Sequence, residues 1–388
     1  MSAIHQFLPL LAPGDGTGNN ARAIATRCQE LGIDSNFFTQ VDRTGLAAAR
    51  FDEYHRYMKP DDVVIYHLAT WSPVAQYLKR LNQQLAVYYH NVTPGDFFAP
   101  YSPGASVTQR LASLELEALA ERAFMAMTPS AYNTIDLHQA GYALVHQIPI
   151  IFDPEDFTGE GDPKVDKLLA DLHAEGTQSW LFVGRLVPNK AQEHLIMALH
   201  AHRRALGGNA VLHLIGRPAF DGYLTRLRKL AADLGVAEKV NFVSGASTAE
   251  LASYYRGSDV FASASEHEGF CMPIVEAMFH GLPTVAYEAA AVGETLGRAG
   301  VLLAEHDPLA MAAWLDKLAT DKDARSAFRG EAVKQLERLS PVNTIPMLDG
   351  LIAMMLEAGG SGFTPDFDHP SRLAEDSRRI IDALAERS

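Results

Sequence analysis

The sequence predicts an α/β fold of two doubly wound domains, each with a parallel sheet between layers of helices. Short apolar runs alternate with segments of helical periodicity in both halves of the chain, a pattern typical of parallel strands joined by crossover helices. A stretch rich in Asp, Gly and Pro, residues 153–163, separates the two series. The 388 residues are enough for two domains that each bury a core.

The elements follow in order along the chain. The first series has strands at Phe7–Ala12, Ser35–Thr39, Val63–Tyr66, Ala86–Tyr89 and Ala126–Pro129, and helices at Ala21–Leu31, Pro73–Leu81 and Val107–Glu121. The second has strands at Ser179–Val183, Val211–Ile215, Val240–Val243, Val260–Ser263 and Thr284–Tyr287, and helices at Glu193–Leu206 and Tyr223–Leu234. Helices are also predicted over Pro346–Leu356 and Ser371–Arg387. We therefore expect an N-terminal domain over 1–152, a linker or domain edge over 153–176, a second domain over 177–343 and C-terminal helices over 344–388.

Charge and cysteine content narrow the class of protein. The net charge of -14 argues against broad nucleic-acid binding, which needs basic stripes. Residues 1–150 are nearly balanced, with 13 Asp and Glu against 10 Lys and Arg, so this half is the better candidate for weak membrane contact. Two cysteines without a Cys-x-x-Cys pattern suit a reducing compartment. Phe7–Ala12 lacks a basic flank and is too short to span a bilayer, so a cytoplasmic location is expected.

Two carboxylates stand eight residues apart around a predicted strand-to-helix turn. The stretch Glu268–Glu276 reads EGFCMPIVE and follows the strand predicted at Val260–Ser263. Pro273 suits the first turn of a helix, and Gly269 allows the backbone to approach a ligand. A helix start offers free N–H groups to an anion. This arrangement predicts a nucleotide-sugar site; the alternative is a capped helix with a solvated Glu268.

The stretch closely resembles the Glu-x7-Glu signature of retaining family-4 glycosyltransferases. The matching residues are Glu268, Gly269, Phe270, Pro273, Glu276, Ala277, Gly281 and Pro283, whereas Cys271 stands where that family usually has Gly. The resemblance implies the GT-B fold: two Rossmann-like domains facing a cleft, with C-terminal helices crossing back onto the first. It also implies that Glu268 binds the donor sugar and Glu276 the ribose. The donor diphosphate would then lie against the backbone of Gly269, Phe270, Cys271 and Met272.

Two cations follow the first predicted strand of the second domain. Gly184, Arg185 and Lys190 lie in the segment FVGRLVPNK, at a strand exit where open α/β sheets bind ligands. Arg and Lys together can neutralise a diphosphate, although they can also be solvated loop cations. The segment is similar to the Gly-Arg-Leu-x3-Lys segment of the same family, which implies contact with the donor diphosphate. Gly216 and Val243, at two further strand exits, resemble the segments that frame the base and ribose; the glycine is equally explained by a turn.

A glycine loop joins the first predicted strand to the first helix. It contains Gly14, Asp15 and Gly16 and leads to Asn20, which stands where a dinucleotide fingerprint requires its third glycine. An NAD site is therefore not supported. The resemblance implies that this loop lies near the donor phosphate and the acceptor, with Asp15 and Asn20 on the acceptor side. A simple tight turn is the alternative.

His90 ends the apolar run Leu85–Tyr89 and is followed by Asn91. It resembles the histidine that contacts the transferred sugar in related enzymes, and its ordinary pKa suits proton transfer. His67 ends the preceding strand, and the resemblance places it with Asn91 at the acceptor pocket. A packed or solvated histidine is the alternative for both. Ser130 and Asn133 either reach the cleft or cap a helix.

The resemblance implies a retaining, metal-independent glycosyltransferase with His90, Glu268, Arg185 and Lys190 as its catalytic residues. Its donor would be a nucleotide-diphosphate sugar, with GDP-mannose favoured and UDP-glucose or UDP-N-acetylglucosamine as alternatives. The acceptor would be a glycan or lipid-linked glycan of bacterial surface polysaccharide, reached from the cytoplasm or from the inner face of the plasma membrane. No cofactor or metal is expected, because the histidines lack ligand spacing and the Asp-x-Asp patterns at 321–323 and 366–368 are interpreted as solvated. A GT-B sugar-nucleotide epimerase and a non-catalytic nucleotide-sugar-binding module are the alternatives of other classes.

Overall fold

The structure is a computed structural model that describes residues 3–12, 14–45, 48–157 and 159–386, without the side chains of 156 and 157. Pro13, at the start of the predicted glycine loop, and Arg387, at the end of the last predicted helix, lie outside the described residues. The chain divides into two compact units. The first comprises Met1–Ala99, Pro103–Asp153 and Arg338–Arg378, and the second Pro100–Ser102, Pro154–Glu337 and Arg379–Ser388.

The first unit is built on a parallel sheet of seven strands in the order β3-β2-β1-β4-β5-β6-β7. The strands are β1 (Ile4–Leu11), β2 (Phe37–Asp42), β3 (Ala49–Arg50), β4 (Val63–Leu68), β5 (Gln84–Tyr89), β6 (Met125–Thr128) and β7 (Val145–Gln147). Its first helices are α1 (Gly16–Glu30), α2 (Pro73–Leu78), α3 (Pro103–Ala120) and α4 (Ala131–Gln139). All six residues of β4 are buried, as expected for a parallel strand covered on both faces.

The second unit repeats this design with six parallel strands in the order β10-β9-β8-β11-β12-β13. They are β8 (Gln178–Val183), β9 (Ala210–Ile215), β10 (Val240–Val243), β11 (Val260–Ser263), β12 (Thr284–Tyr287) and β13 (Gly300–Leu303). Its helices are α5 (Pro163–Ala174), α6 (Gln192–Ala205), α7 (Asp221–Asp233), α8 (Thr248–Gly257), α9 (Met272–Phe279), α10 (Val292–Leu296), α11 (Pro308–Thr320) and α12 (Lys322–Leu339). A separate core cluster around Trp180, Leu212 and Val285 lies within this unit.

The predicted class of two parallel α/β sheets is confirmed, with differences at several elements. Strands β3, β7 and β13 are short and were not predicted. The segment predicted as a linker contains α5, which starts at Pro163 because the Asp162 side chain caps it by accepting from the N–H groups of Lys164 and Val165. The Asp, Gly and Pro composition that indicated a loop therefore marks a helix start.

Two further helices, α13 (Pro341–Ala358) and α14 (Arg372–Ala385), complete the chain, and α13 packs on α1 and β4 of the first unit. The buried guanidinium of Arg27 on α1 donates to both carboxylate oxygens of Asp349 on α13, at 2.8 Å each. This bidentate pair fixes a C-terminal helix against the first helix. By length and composition, Lys322–Ala358 would qualify as a membrane span, but 56% of its most apolar window is buried in the structure. Core helices pass the same test, so this is weak evidence for a span.

Candidate functional site

The topological switch point of the second sheet lies between β8 and β11, which are neighbours although two strands, β9 and β10, separate them in the sequence. In doubly wound sheets, ligands bind outside the carboxyl ends of the strands at such a point. The loop after β8 carries Arg185 and Lys190, and the loop after β11 carries Glu268. The fold thus brings together three of the residues that the sequence analysis selected.

Lys190 and Glu268 form an ion pair in which the ammonium group donates to a carboxylate oxygen. The pair is largely shielded from solvent, with side-chain exposures of 17% and 9%. Removal of either partner would leave a mostly desolvated charge, which is strongly destabilising. Arg185 differs, because its side chain is exposed and makes no hydrogen bond or ion pair among the described residues. Its guanidinium is available to an anion.

The loop between Glu268 and α9 contains a strained residue. Cys271 immediately precedes α9 and has a φ of 78°, a left-handed conformation that favours glycine. This explains physically why Gly is usual at this position. The Phe270 carbonyl accepts a hydrogen bond from the Thr295 hydroxyl, which holds the loop in place. Burial, together with the neighbouring Glu268 carboxylate, raises the pKa of the Cys271 thiol well above its ordinary value, so the thiol is neutral.

Glu276 lies on the second turn of α9, and its carboxylate accepts a 2.6 Å hydrogen bond from the hydroxyl of Tyr255 on α8. Burial and this carboxylate raise the pKa of Tyr255 well above its ordinary value. Tyr255 therefore stays protonated and orients Glu276. Sequence reasoning did not find this contact, because the two residues are on different helices and no local pattern links them.

Gly184 and Gly216 follow neighbouring strands, and their backbones lie in close contact. A Cβ atom built on Gly216 would lie 1.9 Å from the carbonyl oxygen of Gly184, a space that only glycine fits. The N–H of Gly216 donates to the carbonyl of Val243, at 2.8 Å, and that of Gly184 donates to Ile215, at 2.9 Å. These contacts align the carboxyl ends of β8, β9 and β10.

In the first unit, the glycine loop after β1 leads into α1, whose N-terminus is capped by Asp15: its carboxylate accepts from the N–H of Gly18 at 3.2 Å. A Cβ on Gly14 or Gly16 would meet nothing within 4 Å, so the backbone there is open to a close approach. Asn20 has a structural contact instead: it is fully buried, and its side-chain oxygen accepts from the N–H of Ile151 at 2.8 Å. Its predicted place on the acceptor side conflicts with this burial.

His67 and His90 form a hydrogen-bonded chain with Gln6. The Nε2 atom of His67 lies 2.8 Å from Oε1 of Gln6, and its Nδ1 lies 2.9 Å from Nε2 of His90. Because the Gln6 oxygen only accepts, His67 carries its proton on Nε2, and His90 must then donate from its own Nε2. This leaves Nδ1 of His90 as an acceptor.

Protonation is disfavoured along this chain. Burial lowers the pKa of His67 to about 3, and burial together with His67 lowers the pKa of His90 well below its ordinary value. Both imidazoles are therefore neutral at pH 7. His67 is fully buried, so it positions His90 and does not itself line a pocket, whereas His90 is partly exposed.

Asn91 follows His90 with a φ of 88°, and its side-chain amide donates to the Asn133 side chain at 2.7 Å. Asn133 is buried, and its N–H donates to the hydroxyl of Ser130 at the start of α4. Of the two interpretations left open for Ser130, the structure contains the helix cap. The asparagine pair fixes the backbone immediately after His90.

Comparison with known families finds a match within the second unit. Residues 170–335 match the family model Glycosyl transferases group 1. The match contains Arg185, Lys190, Glu268 and Glu276, whereas the residues described in the first unit lie outside it.

Two curated relatives resemble parts of the chain. A D-inositol 3-phosphate glycosyltransferase of Thermobispora bispora is 33% identical over 165 residues, which are 41% of this chain and 39% of the relative. A GDP-mannose-dependent alpha-(1-6)-phosphatidylinositol monomannoside mannosyltransferase of Mycobacterium tuberculosis is 37% identical over 121 residues, which are 29% of this chain and 30% of the relative. The likeness thus spans less than half of each relative.

Among solved structures, HepE of Anabaena in complex with UDP-glucose superimposes with a TM-score of 0.68. The likeness covers 90% of this chain and 99% of HepE at 18% identity, so it concerns the fold alone. The two parallel α/β sheets, together with this likeness, show that the fold is GT-B.

A second polar cluster in the second unit was also missed by sequence reasoning. His194, Glu266 and His306 come from α6, the loop after β11 and the loop after β13, and their ligand-type atoms all lie within 4.8 Å of one another. The residues are 40 or more positions apart, so no short spacing motif reveals them. Only the fold brings these loops together.

Proposed function

We propose that the chain is a retaining, metal-independent glycosyltransferase that moves a sugar from a nucleotide-diphosphate sugar to a glycan or lipid-linked acceptor. The observation that carries this proposal is the contact between Lys190 and Glu268. These residues are 78 positions apart, yet they meet at the switch point of a parallel sheet beside the start of α9. The match to Glycosyl transferases group 1 over the same segment supports it.

In the proposed reaction, the bond between the anomeric carbon and the diphosphate oxygen breaks, and a bond to an acceptor hydroxyl oxygen forms on the same face. The departing diphosphate takes the acceptor proton, so no protein nucleophile is needed. Lys190, the exposed Arg185 and the backbone at the start of α9 stabilise the charge that develops on the diphosphate. Glu268 binds hydroxyl groups of the sugar, and Glu276, held by Tyr255, binds the ribose.

In the first unit, His90 is assigned to the transferred sugar. A neutral imidazole with an acceptor Nδ1 suits a hydrogen bond from a sugar hydroxyl. Gln6 and His67 hold it in that tautomer through the two hydrogen bonds described above. The glycine loop with Gly14 and Gly16 is assigned to the donor phosphates, since its backbone is open to close approach.

GDP-mannose is the favoured donor, and the 37% identity to a GDP-mannose-dependent mannosyltransferase supports it. A UDP-sugar is the second candidate, because HepE has the same fold and its structure contains UDP-glucose. The acceptor is proposed to be a glycan or lipid-linked glycan used on the cytoplasmic side. An epimerase or a binding module would use the same nucleotide contacts, but it would transfer no sugar to an acceptor.

The first experiment is a thermal-shift panel of GDP-mannose, UDP-glucose, UDP-N-acetylglucosamine, ADP-glucose and dTDP-glucose with purified protein. A ligand that binds the native state raises the unfolding temperature by mass action, so a selective shift identifies the donor. Sugar transfer is then measured with that donor and a panel of lipid-linked glycans. Isomerised nucleotide sugar without an acceptor would identify an epimerase, and donor binding with neither transfer nor hydrolysis would identify a binding module.

Lys190→Ala tests the residue assignment, with Lys229→Ala as its matched control. Lys229 is also a lysine of the second unit paired with a carboxylate, Asp233, but that pair is exposed. We expect Lys190→Ala to weaken donor binding by at least about tenfold, the loss of one charge-assisted contact, while Lys229→Ala leaves it unchanged. Equal donor affinity in the two variants would refute the role of Lys190.

A further inference from the structure

The cluster of His194, Glu266 and His306 has the composition and spacing of a metal site. Nε2 of His194 lies 3.7 Å from Oε1 of Glu266, and Nδ1 of His306 lies 3.6 Å from the same oxygen. These distances exceed those of ordinary hydrogen bonds. They are close to the roughly 3.3 Å that separates two ligand atoms on a tetrahedral zinc ion with bonds of about 2.0–2.1 Å.

An unsatisfied hydroxyl provides a second observation. Tyr287, only 1% exposed, packs its ring against His306 and His194 with centroid distances of 4.2 and 6.0 Å. Its hydroxyl has no hydrogen-bond partner among the described residues. Buried polar atoms are normally satisfied, so this hydroxyl beside the cluster points to a bound species there.

The ligand types of the cluster also suit a cation. Two imidazoles and one carboxylate, from α6 and two separate loops, converge on one point. Two His and one Glu, with a fourth position open to water, are an established zinc ligand set.

We propose that His194, Glu266 and His306 form a zinc site that fastens the loop after β11 to the start of α6. Glu266 precedes Glu268 by two residues, and His194 follows Lys190 by four. The two segments are already joined, because the N–H of Glu266 donates to the carbonyl of Asn189 and the Asn189 side chain donates to the carbonyl of His267. The ion adds a third, stronger connection that includes the loop after β13. Its role is to hold the loop, and no ligand of the ion is assigned to the donor.

The site is tested with tag-free, EDTA-stripped protein titrated with ZnCl2 by calorimetry, and with CoCl2 by visible absorption. We expect one ion per chain and a cobalt spectrum of low-symmetry, four- or five-coordinate type. His306→Ala, on an exposed loop, and Glu266→Gln should each weaken binding at least about tenfold. His173→Ala is the matched control, because His173 also faces a carboxylate, Asp259, at 3.2 Å but has no third ligand in the described residues.

Absence of stoichiometric binding, or equal affinity in His306→Ala and His173→Ala, would overturn the proposal. Hydrogen exchange tests the fastening role: zinc should slow exchange in residues 264–272 of the unaltered protein but not of His306→Ala. Unchanged exchange in that loop with zinc bound would exclude this role. None of these measurements uses a sugar donor, so their failure is distinguishable from failure of the proposed glycosyltransferase activity.

Discussion

Replacement of Gly216 by alanine is the sharpest test of how the ends of β8 and β9 are held together. The added Cβ would lie 1.9 Å from the oxygen and 2.6 Å from the carbon of the Gly184 carbonyl, whereas such contacts are essentially never shorter than 3.0 Å. The strand ends would therefore have to separate by roughly 1 Å, which costs about 1–3 kcal/mol as overpacking. The φ of 157° adds about 1–2 kcal/mol of backbone strain.

Gly245→Ala is the matched control. Gly245 also has a positive φ, of 75°, but a Cβ there would meet nothing within 4 Å. It therefore carries the strain of about 1–2 kcal/mol without the steric overlap. We expect a total loss of about 2–5 kcal/mol for Gly216→Ala, and the difference between the two variants measures the overlap.

Guanidinium unfolding followed by tryptophan fluorescence gives the two values. The background variant Trp71→Phe removes the one tryptophan of the first unit, so the signal comes from Trp180 on β8 and Trp314 on α11. Equal m-values in both variants are required before the free energies of unfolding are compared. A loss in Gly216→Ala no larger than in Gly245→Ala would refute the close approach of the two backbones.

Two further predictions concern the first unit. His67→Phe should lower turnover by about tenfold with little change in donor affinity, because it breaks the hydrogen bond that fixes His90. The control is Tyr88→Phe, which removes a hydrogen bond to the Ile148 carbonyl. Equal turnover in the two variants would contradict the positioning role of His67. Burial raises the pKa of the Glu115 carboxyl group to about 7. Between roughly pH 4.5 and 7 the folded protein therefore keeps a proton that the unfolded chain releases. The free energy of unfolding should fall by about 3 kcal/mol over that range. Glu115→Gln should flatten this dependence, and an unchanged pH profile of unfolding would show that the carboxyl group is not the cause.

The sequence predicted most of the fold because its signals are local. Apolar runs and helical periodicity place the central strands of both sheets within a few residues, and Pro273 lies in the first turn of α9 as its preference for helix starts predicts. The missed elements have weak local signals. Strand β3 has two residues, and α5 begins in a segment whose Asp and Pro resemble a loop until Asp162 is seen to cap it.

The sequence by itself selected the residues that we propose to carry chemistry in the second unit, since the string from Glu268 to Glu276 is unusual in both composition and spacing. Only the tertiary structure decided which of them meet, because contacts between residues 21 to 112 positions apart depend on strand order and helix packing. It pairs Lys190 with Glu268, sets Tyr255 on Glu276, and gathers a His-Glu-His cluster that no spacing motif encodes. It also buries Asn20 and His67, since exposure is a property of the packed sheet and its covering helices and has no signature in either residue alone.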